Sequence, residues 1–335
     1  MENRIIDAYP IANKLLRDCL ALKKSEELLV VIDTETDMTM AQALGGVAGD
    51  IGANFTIAMM PSRNEINAHQ IPETVNRAMD GADVYIGMTR ASGAACYSTR
   101  LAELVHQKKL RECSMVMRSL DNFTKGGALA DYDALYAEGL SLKTFWEQRK
   151  AIEISTPAGT SLTAQIGANP VYIECGIARN PGDTMAFSDG EVSQGPNPQT
   201  VNGQVVVDGP ICQLGMPHKP LVLEVAESKI INIIDGDTTK LKRLARLLES
   251  VPGADNFAEI GLGLNPESQQ NGDFEEEKKA RGTCHIALGD DIFFGGTTQC
   301  AVHWDMVMYN VTARMDSTEV VADGIINTDA FSTAR

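Results

Sequence analysis

The chain has 335 residues, with 29 Lys plus Arg against 45 Asp plus Glu and a formal charge of −16. Its apolar fraction of 44% and charged fraction of 22% are those of a globular protein, which excludes collagen-like repeats and long disorder. The acidic balance disfavours nucleic acid and anionic lipid as partners, because both need clustered Lys and Arg. No apolar run approaches the roughly 20 residues that span a bilayer, and the amphipathic start carries acids where a secretory leader is continuously apolar. The Cys at 19, 96, 113, 175, 212, 284 and 300 are odd in number and widely spaced, with no CxxC, which fits a cytoplasmic protein without a disulfide framework. The length favours two domains over one core.

Apolar residues at helical spacing predict a helix over residues 1–20. Residues 27–33 are a short apolar run and predict a buried strand. A helix over 39–52, strands over 54–59 and 83–88, helices over 72–79 and 98–106, and a strand over 114–117 follow. This alternation implies parallel βαβ units in a Rossmann-like domain spanning 1–150. The first strand runs into Asp33-Thr34-Glu35-Thr36-Asp37 and not into GxGxxG, and GxxxxGK[ST] is absent, so a nucleotide cofactor is disfavoured. A helix over 131–149 links the halves. From 151 to 335 the pattern changes to period two: 152–156 and 160–166 flank Pro157-Ala158-Gly159 as a hairpin, and strands are predicted over 204–207, 221–225 and 230–234, with one helix over 238–249. The second domain is thus α+β, mostly antiparallel.

The chemistry concentrates in that second half. His303 and Asp305 are two apart, so on a strand both project from one face. His285 lies 18 residues earlier in another Gly-punctuated apolar segment. Glu259 heads the apolar run to Leu264, where a carboxylate must be protonated, paired or on a metal. Glu191 follows an Asp-Gly turn. Three carboxylates and two imidazoles without Cys suit one or two divalent ions that activate water and polarise a carbonyl. Glu275, Glu276 and Glu277 precede Lys278 and Lys279 as a charge run, ordinarily a solvated helix face, although one of the three could instead reach the metals or act as base. Asp290 and Asp291 are candidates to support the ligands, Arg281 to bind a substrate carboxylate. His218 between prolines and His69 are expected on loops, His106 on a helix.

The runs DGEV, AEIGLGLNP, GTCHIALGDD and GGTTQCAVHWD resemble the thermophilic aminopeptidase T/S family over about residues 185–310. That resemblance implies a cytosolic, dimeric or higher oligomeric metallohydrolase acting on amide bonds of short peptides or small molecules. Its metals, Zn, Co or Mn, would fall on Glu191, Glu259, His285, His303 and Asp305, with Glu259 or Glu174 as proton acceptor. Two positions depart from the family. Ile292 stands where it has a Tyr seven residues after the first His, and GEVSQGP stands for GEVFTAP. A second branch of the fold, the 2,5-dihydroxypyridine 5,6-dioxygenases, uses one Fe(II) on two His and one Asp. It matches the His303-x-Asp305 pair but has a His at the position of Glu259. The segment Tyr172-Ile173-Glu174-Cys175-Gly176 resembles that branch's region carrying an acid/base Glu. Glu259 favours the hydrolase arrangement, leaving an Fe(II) dioxygenase acting on a hydroxylated pyridine as the alternative.

Overall fold

A computed structural model of the chain describes residues 4–63, 70–90, 96, 98–116 and 119–332. His69 lies outside them. Two compact units emerge, one of residues 1–133 with 175–189, the other of 134–174 with 190–335.

In the first unit α1 (Ile5–Asn13) runs into a π-helical stretch at Lys14–Cys19. There follow β1 (Glu27–Asp33), α2 (Met38–Ile51), β2 (Asn54–Met60), α3 (Glu73–Met79), β3 (Val84–Thr89), α4 (Thr99–His106), β4 (Arg111–Val116) and α5 (Leu120–Thr124). The sheet is parallel, in the order β2-β1-β3-β4, closed by a later strand, β8 (Thr184–Ala186). Leu29 and Val31 pack with Val75, Met79, Leu101 and Leu104 of α3 and α4. Their alternates Leu28, Val30 and Ile32 are equally buried, so both faces of β1 are covered, as a parallel sheet requires. Ser98 and Asp37 cap α4 and α2 through their side chains. At the end of β1, Asp33 is buried and accepts from Glu35 N, Arg90 N and the Thr36 hydroxyl, so one backbone amide of this turn and one just past β3 are committed to a carboxylate.

The second unit opens with α6 (Tyr132–Trp146), most of which belongs to it. After the hairpin β5 (Ala151–Ser155) and β6 (Ser161–Gln165) come β7 (Val171–Glu174), β9 (Glu191–Gln194), β10 (Asn202–Val207), β11 (Leu221–Ala226), β12 (Lys229–Asp235), α7 (Thr238–Ser250), β13 (Phe257–Gly263), α8 (Phe274–Glu277), β14 (Cys284–Gly289), β15 (His303–Met308), β16 (Thr312–Met315), β17 (Thr318–Ala322) and β18 (Ile325–Ile326). Eight strands form one sheet, β12-β11-β10-β6-β5-β16-β17-β18, and five form another, β15-β14-β13-β9-β7. The parallel-then-antiparallel architecture read from the sequence is therefore present.

The units do not divide at one cut near residue 150. Residues 175–189 return to the first unit because β8 pairs in parallel with β4. Helix α6 joins the second because its side chains bond there: Glu138 to Arg281, Lys143 to Val171 O and Trp146 to Gln194. Trp146 is fully buried, and its Nε1–H donates to Gln194 Oε1 at 2.7 Å, while Gln194 Nε2 donates to Asn169 O. This pins β9, the strand that carries Glu191. Trp146→Phe should leave Gln194 Oε1 buried without its donor and cost about 1–3 kcal/mol in addition to lost packing. Denaturant melts read this directly, and an unchanged midpoint would contradict it.

Candidate metal centre

The five-stranded sheet brings the predicted donors together by its register. Glu259 on β13 pairs with Ala287 on β14, which pairs with Asp305 on β15. Gly261 pairs with His285, Gly289 with His303, and Gly263 with Glu191. Residues opposite each other, and residues two apart along a strand, share a face. All five donors therefore project from one side of the sheet, and the floor between them is made of Gly and Ala. Gly261 shows why: a Cβ there would stand 2.2 Å from Cε1 and 2.3 Å from Nε2 of His285. The loop after β10 holds β15 in place, with Gly209 N donating to Val307 O and Cys212 N to Asp305 O, both at 2.9 Å.

Glu259 sits at the centre. Its Oε1 lies 3.4 Å from His285 Nε2 and its Oε2 2.9 Å from His303 Nε2. His285 Nε2 is also 3.4 Å from Glu191 Oε2, and His303 Nε2 is 3.2 Å from Asp305 Oδ1. Glu191, Glu259, His285 and Asp305 are buried, and His303 is half-buried. His303 Nδ1 lies 2.8 Å from the Asp290 carbonyl, which can only accept, so that nitrogen carries the proton and Nε2 is left as the donor atom toward the carboxylates.

Two lysines that the sequence marks only as part of a charge run complete the site. Lys279 Nζ is 2.6 Å from Glu191 Oε1 and 3.8 Å from Glu174 Oε2, and Lys278 Nζ is 3.1 Å from Asp305 Oδ2. The adjacent glutamates face elsewhere. Glu276 accepts from Gln269 N, and Glu277 accepts from Gly272 N and the Tyr309 hydroxyl. Glu276 and Glu277 are buried and brace a loop, contrary to a solvated face. Arg281 is committed to Glu138 at 2.7 and 2.9 Å, and His218 is exposed on its loop. Glu174 lies directly opposite Glu191 on β7, at the edge of the site.

Burial alone would raise these carboxyls, but it is outweighed. Lys279, Lys278 and His285 hold Glu191 below the usual range, His285 and His303 do so for Glu259, and Lys278 and His303 for Asp305. The carboxylates in turn overcome burial to raise His285, through Glu191 and Glu259, and to raise His303 well above its ordinary value, through Asp305 and Glu259.

Two overlapping groups could hold a cation: Glu191, Glu259 and His285, and Glu259, His303 and Asp305, each offering ligand atoms within 4.8 Å of one another. Asp305 Oδ1 and His285 Nδ1 are buried without a well-directed hydrogen bond. A cation beside Asp305 would satisfy an oxygen that protein groups do not. The N/O donor set fits a divalent ion of the Zn, Mn, Co or Fe type.

The fold and site define a two-unit protein with a parallel sheet in one unit and, in the other, an antiparallel sheet whose donor face could hold a metal. Residues 8–328 match the family NicX, described as 2,5-dihydroxypyridine 5,6-dioxygenase, and the chain belongs to that family. The curated 2,5-dihydroxypyridine 5,6-dioxygenase of Pseudomonas putida is 23% identical over 210 residues, which is 58% of this chain and 59% of that protein's length. Among solved structures, 2,5-dihydroxypyridine dioxygenase from Pseudomonas putida superposes with a TM-score of 0.81 at 17% identity, covering 96% of this chain and 97% of that one. AmpT from Thermus thermophilus superposes with a TM-score of 0.70 at 14% identity, covering 97% and 100%. At these identities the two structures show a shared fold.

The expected amide-bond hydrolase is corrected by the family match and the curated relative, both of which fall on the dioxygenase branch. The misleading runs are the strands and glycine turns that build the donor sheet, on a fold that both branches share. The Tyr expected of the peptidase is Ile292, half exposed on the loop between β14 and β15.

Two outcomes follow. A divalent ion must displace protons from the raised imidazoles, so affinity should increase with pH. Calorimetry at pH 6.5 in two buffers of different ionisation enthalpy should show proton release, and equal heats would contradict it. Without metal, the imidazoles stabilise the fold below their unfolded pKa and lose that effect as pH rises through the raised folded values. The carboxylates stabilise it above their unfolded pKa and lose that effect as pH falls through the lowered ones. Separately, Gly261→Ala should displace His285, costing about 1–3 kcal/mol of stability and weakening metal retention. A variant that melts and binds metal like the parent would refute the packing account.

Proposed function

We propose that this chain is a dioxygenase that opens the ring of a hydroxylated pyridine or a close heteroaromatic relative, with Fe(II) as its metal. Family membership over residues 8–328 carries this reading, and the buried donor face supports it. Glu259, His303 and Asp305 would hold the ion, with His285 and Glu191 on the far side of Glu259. Bound Fe(II) supplies the redox and Lewis-acid chemistry of oxygen-dependent ring opening. The donor set is richer in carboxylate than two His and one Asp, because Glu259 stands where the dioxygenase branch has an imidazole.

The chain's own groups do the positioning. The Asp290 carbonyl orients His303, and Lys278 holds one oxygen of Asp305 so that the other faces the donors. The Phe294 ring lies against the His303 imidazole, with centroids 5.5 Å apart and planes 19° apart, and shields it from water. Phe293 stacks on Tyr172 at 4.6 Å and is 55% exposed. An exposed aromatic surface of this kind, contiguous with His303, suits a flat ring, which it would hold by offset stacking. Glu174, half-buried beside Lys279, is the group assigned to take a proton from a substrate hydroxyl onto its carboxylate and return it to the opened product.

The test is oxygen consumption. Anaerobically purified protein given Fe(II), 2,5-dihydroxypyridine and oxygen should lose the ring absorbance and take up oxygen in step. Asp305→Ala should lose bound iron and turnover together. Glu174→Gln should keep its iron and lower kcat by about 10²-fold or more, the usual range for a proton-transfer group. Iron-loaded protein that takes up no oxygen with any dihydroxypyridine would reject the proposal.

A further inference from the structure

We infer that Asp291 is a positioning residue for ring binding: with Asn256 it fixes the loop of residues 290–302 so that Phe293 and Phe294 stand as one wall of the substrate site, an inference that rests on the ring-opening reading for its substrate. Two adjacent aspartates brace this loop and divide the work. Asp290 serves the donor side. Its carbonyl meets His303 Nδ1, and its carboxylate accepts from Ile292 N and Cys300 N. Asp291 serves the aromatic side. Its Oδ1 accepts from Thr298 N at 2.6 Å and its Oδ2 from Asn256 Nδ2 at 2.9 Å. Its backbone carbonyl accepts from Phe294 N at 3.0 Å and from Gly296 N at 2.9 Å, and its own N donates to Thr298 O. Both phenylalanines thus sit in a turn whose two ends meet at Asp291.

Asn256 gives that turn a fixed base. It directly precedes β13, its Nδ2 also donates to Gly289 O at the end of β14, and its carbonyl accepts from Gly289 N. Glycines let the loop close. A Cβ on Gly296 would stand 2.1 Å from Asp291 Cγ, and one on Gly295 would stand 3.0 Å from Pro170 Cδ, just before β7. That strand carries Tyr172, whose ring meets Phe293 at 4.6 Å and Phe294 at 5.7 Å. Phe293 is 55% exposed, so packing alone does not hold its ring and the backbone must set its direction. Loss of the Asp291 carboxylate frees the wall. It leaves the His303 contact, which uses the carbonyl of Asp290.

The full-length parent and Asp291→Ala, both loaded with Fe(II), are titrated with 2,5-dihydroxypyridine without oxygen, and turnover is then followed with oxygen. Asp291→Ala should raise Kd and KM by about 3–10-fold, the range of one aromatic stacking contact. Its kcat should change by less than about 3-fold, with iron per chain as in the parent, since only uniform ring binding is lost. Phe293→Ala should raise Kd similarly, and the double variant should be little worse than either, because both changes remove the same wall. A folded Asp291→Ala with the parental Kd, one that loses iron, or additive effects in the double variant would overturn the inference, as would a parent that does not bind the ring. The two readings fail separately. Binding that weakens as expected in a protein that takes up no oxygen sustains the wall and rejects ring opening, whereas turnover with equal KM in parent and variant does the reverse. Should Asp291→Ala not fold, Gly296→Ala decides, since its Cβ displaces the same carboxylate: a raised Kd supports the inference and an unchanged one overturns it.

Discussion

Glu259 puts a carboxylate, 2% exposed, between two imidazoles on a strand that is otherwise apolar. A buried charge of this kind must be matched by charge or by hydrogen bonds, and much of the second unit is arranged around that requirement. His285 approaches one of its oxygens from the adjacent strand β14 and His303 the other from β15, one strand further out. Asp305 and Glu191 approach the imidazoles in turn, and Lys278 and Lys279 balance the outer carboxylates. The result is an alternating chain of positive and negative groups under little solvent. Each is stabilised in its charged form by the next, which is why every carboxyl is held down and every imidazole raised.

The sheet makes this arrangement possible because its period is two. Donors at alternate positions on β13, β14 and β15 share a face, and the residues between them on that face are Gly261, Ala287 and Gly289. Larger side chains would lift the rings off the sheet. The opposite face carries Ile260, Leu262, Cys284, Ile286 and Leu288, all buried. One face thus makes core and the other makes chemistry, on the same few strands. The loops supply orientation: the Asp290 carbonyl sets the His303 tautomer, and residues 209–212 tie down β15.

Much of this was legible in the residues. The strand-helix alternation to residue 116 follows local rules, and the parallel sheet follows from it. The five donors could be selected because His-x-Asp at 303–305 has strand spacing and because an acid at 259 in an apolar run demands a partner. Other features depend on tertiary pairing and left no local signal. Residues 184–186 are a short segment whose only claim to be a strand is its parallel pairing with β4. Lys278 and Lys279 look like solvated charge until the fold turns them onto Asp305 and Glu191. The Glu276 and Glu277 carboxyls are buried because backbone amides need acceptors there. The choice between hydrolase and dioxygenase lay beyond the fold, since both branches share it. Glu259 pointed toward one branch and Ile292 away from it.

Anomalous diffraction from crystals soaked in Fe(II) or Mn(II) tests the central claim most directly. The account predicts a single dominant peak at about 2.0–2.3 Å from Glu259, from His303 Nε2 and from Asp305 Oδ1. A peak away from Glu259, or none on this face of the sheet under saturating metal, would contradict it.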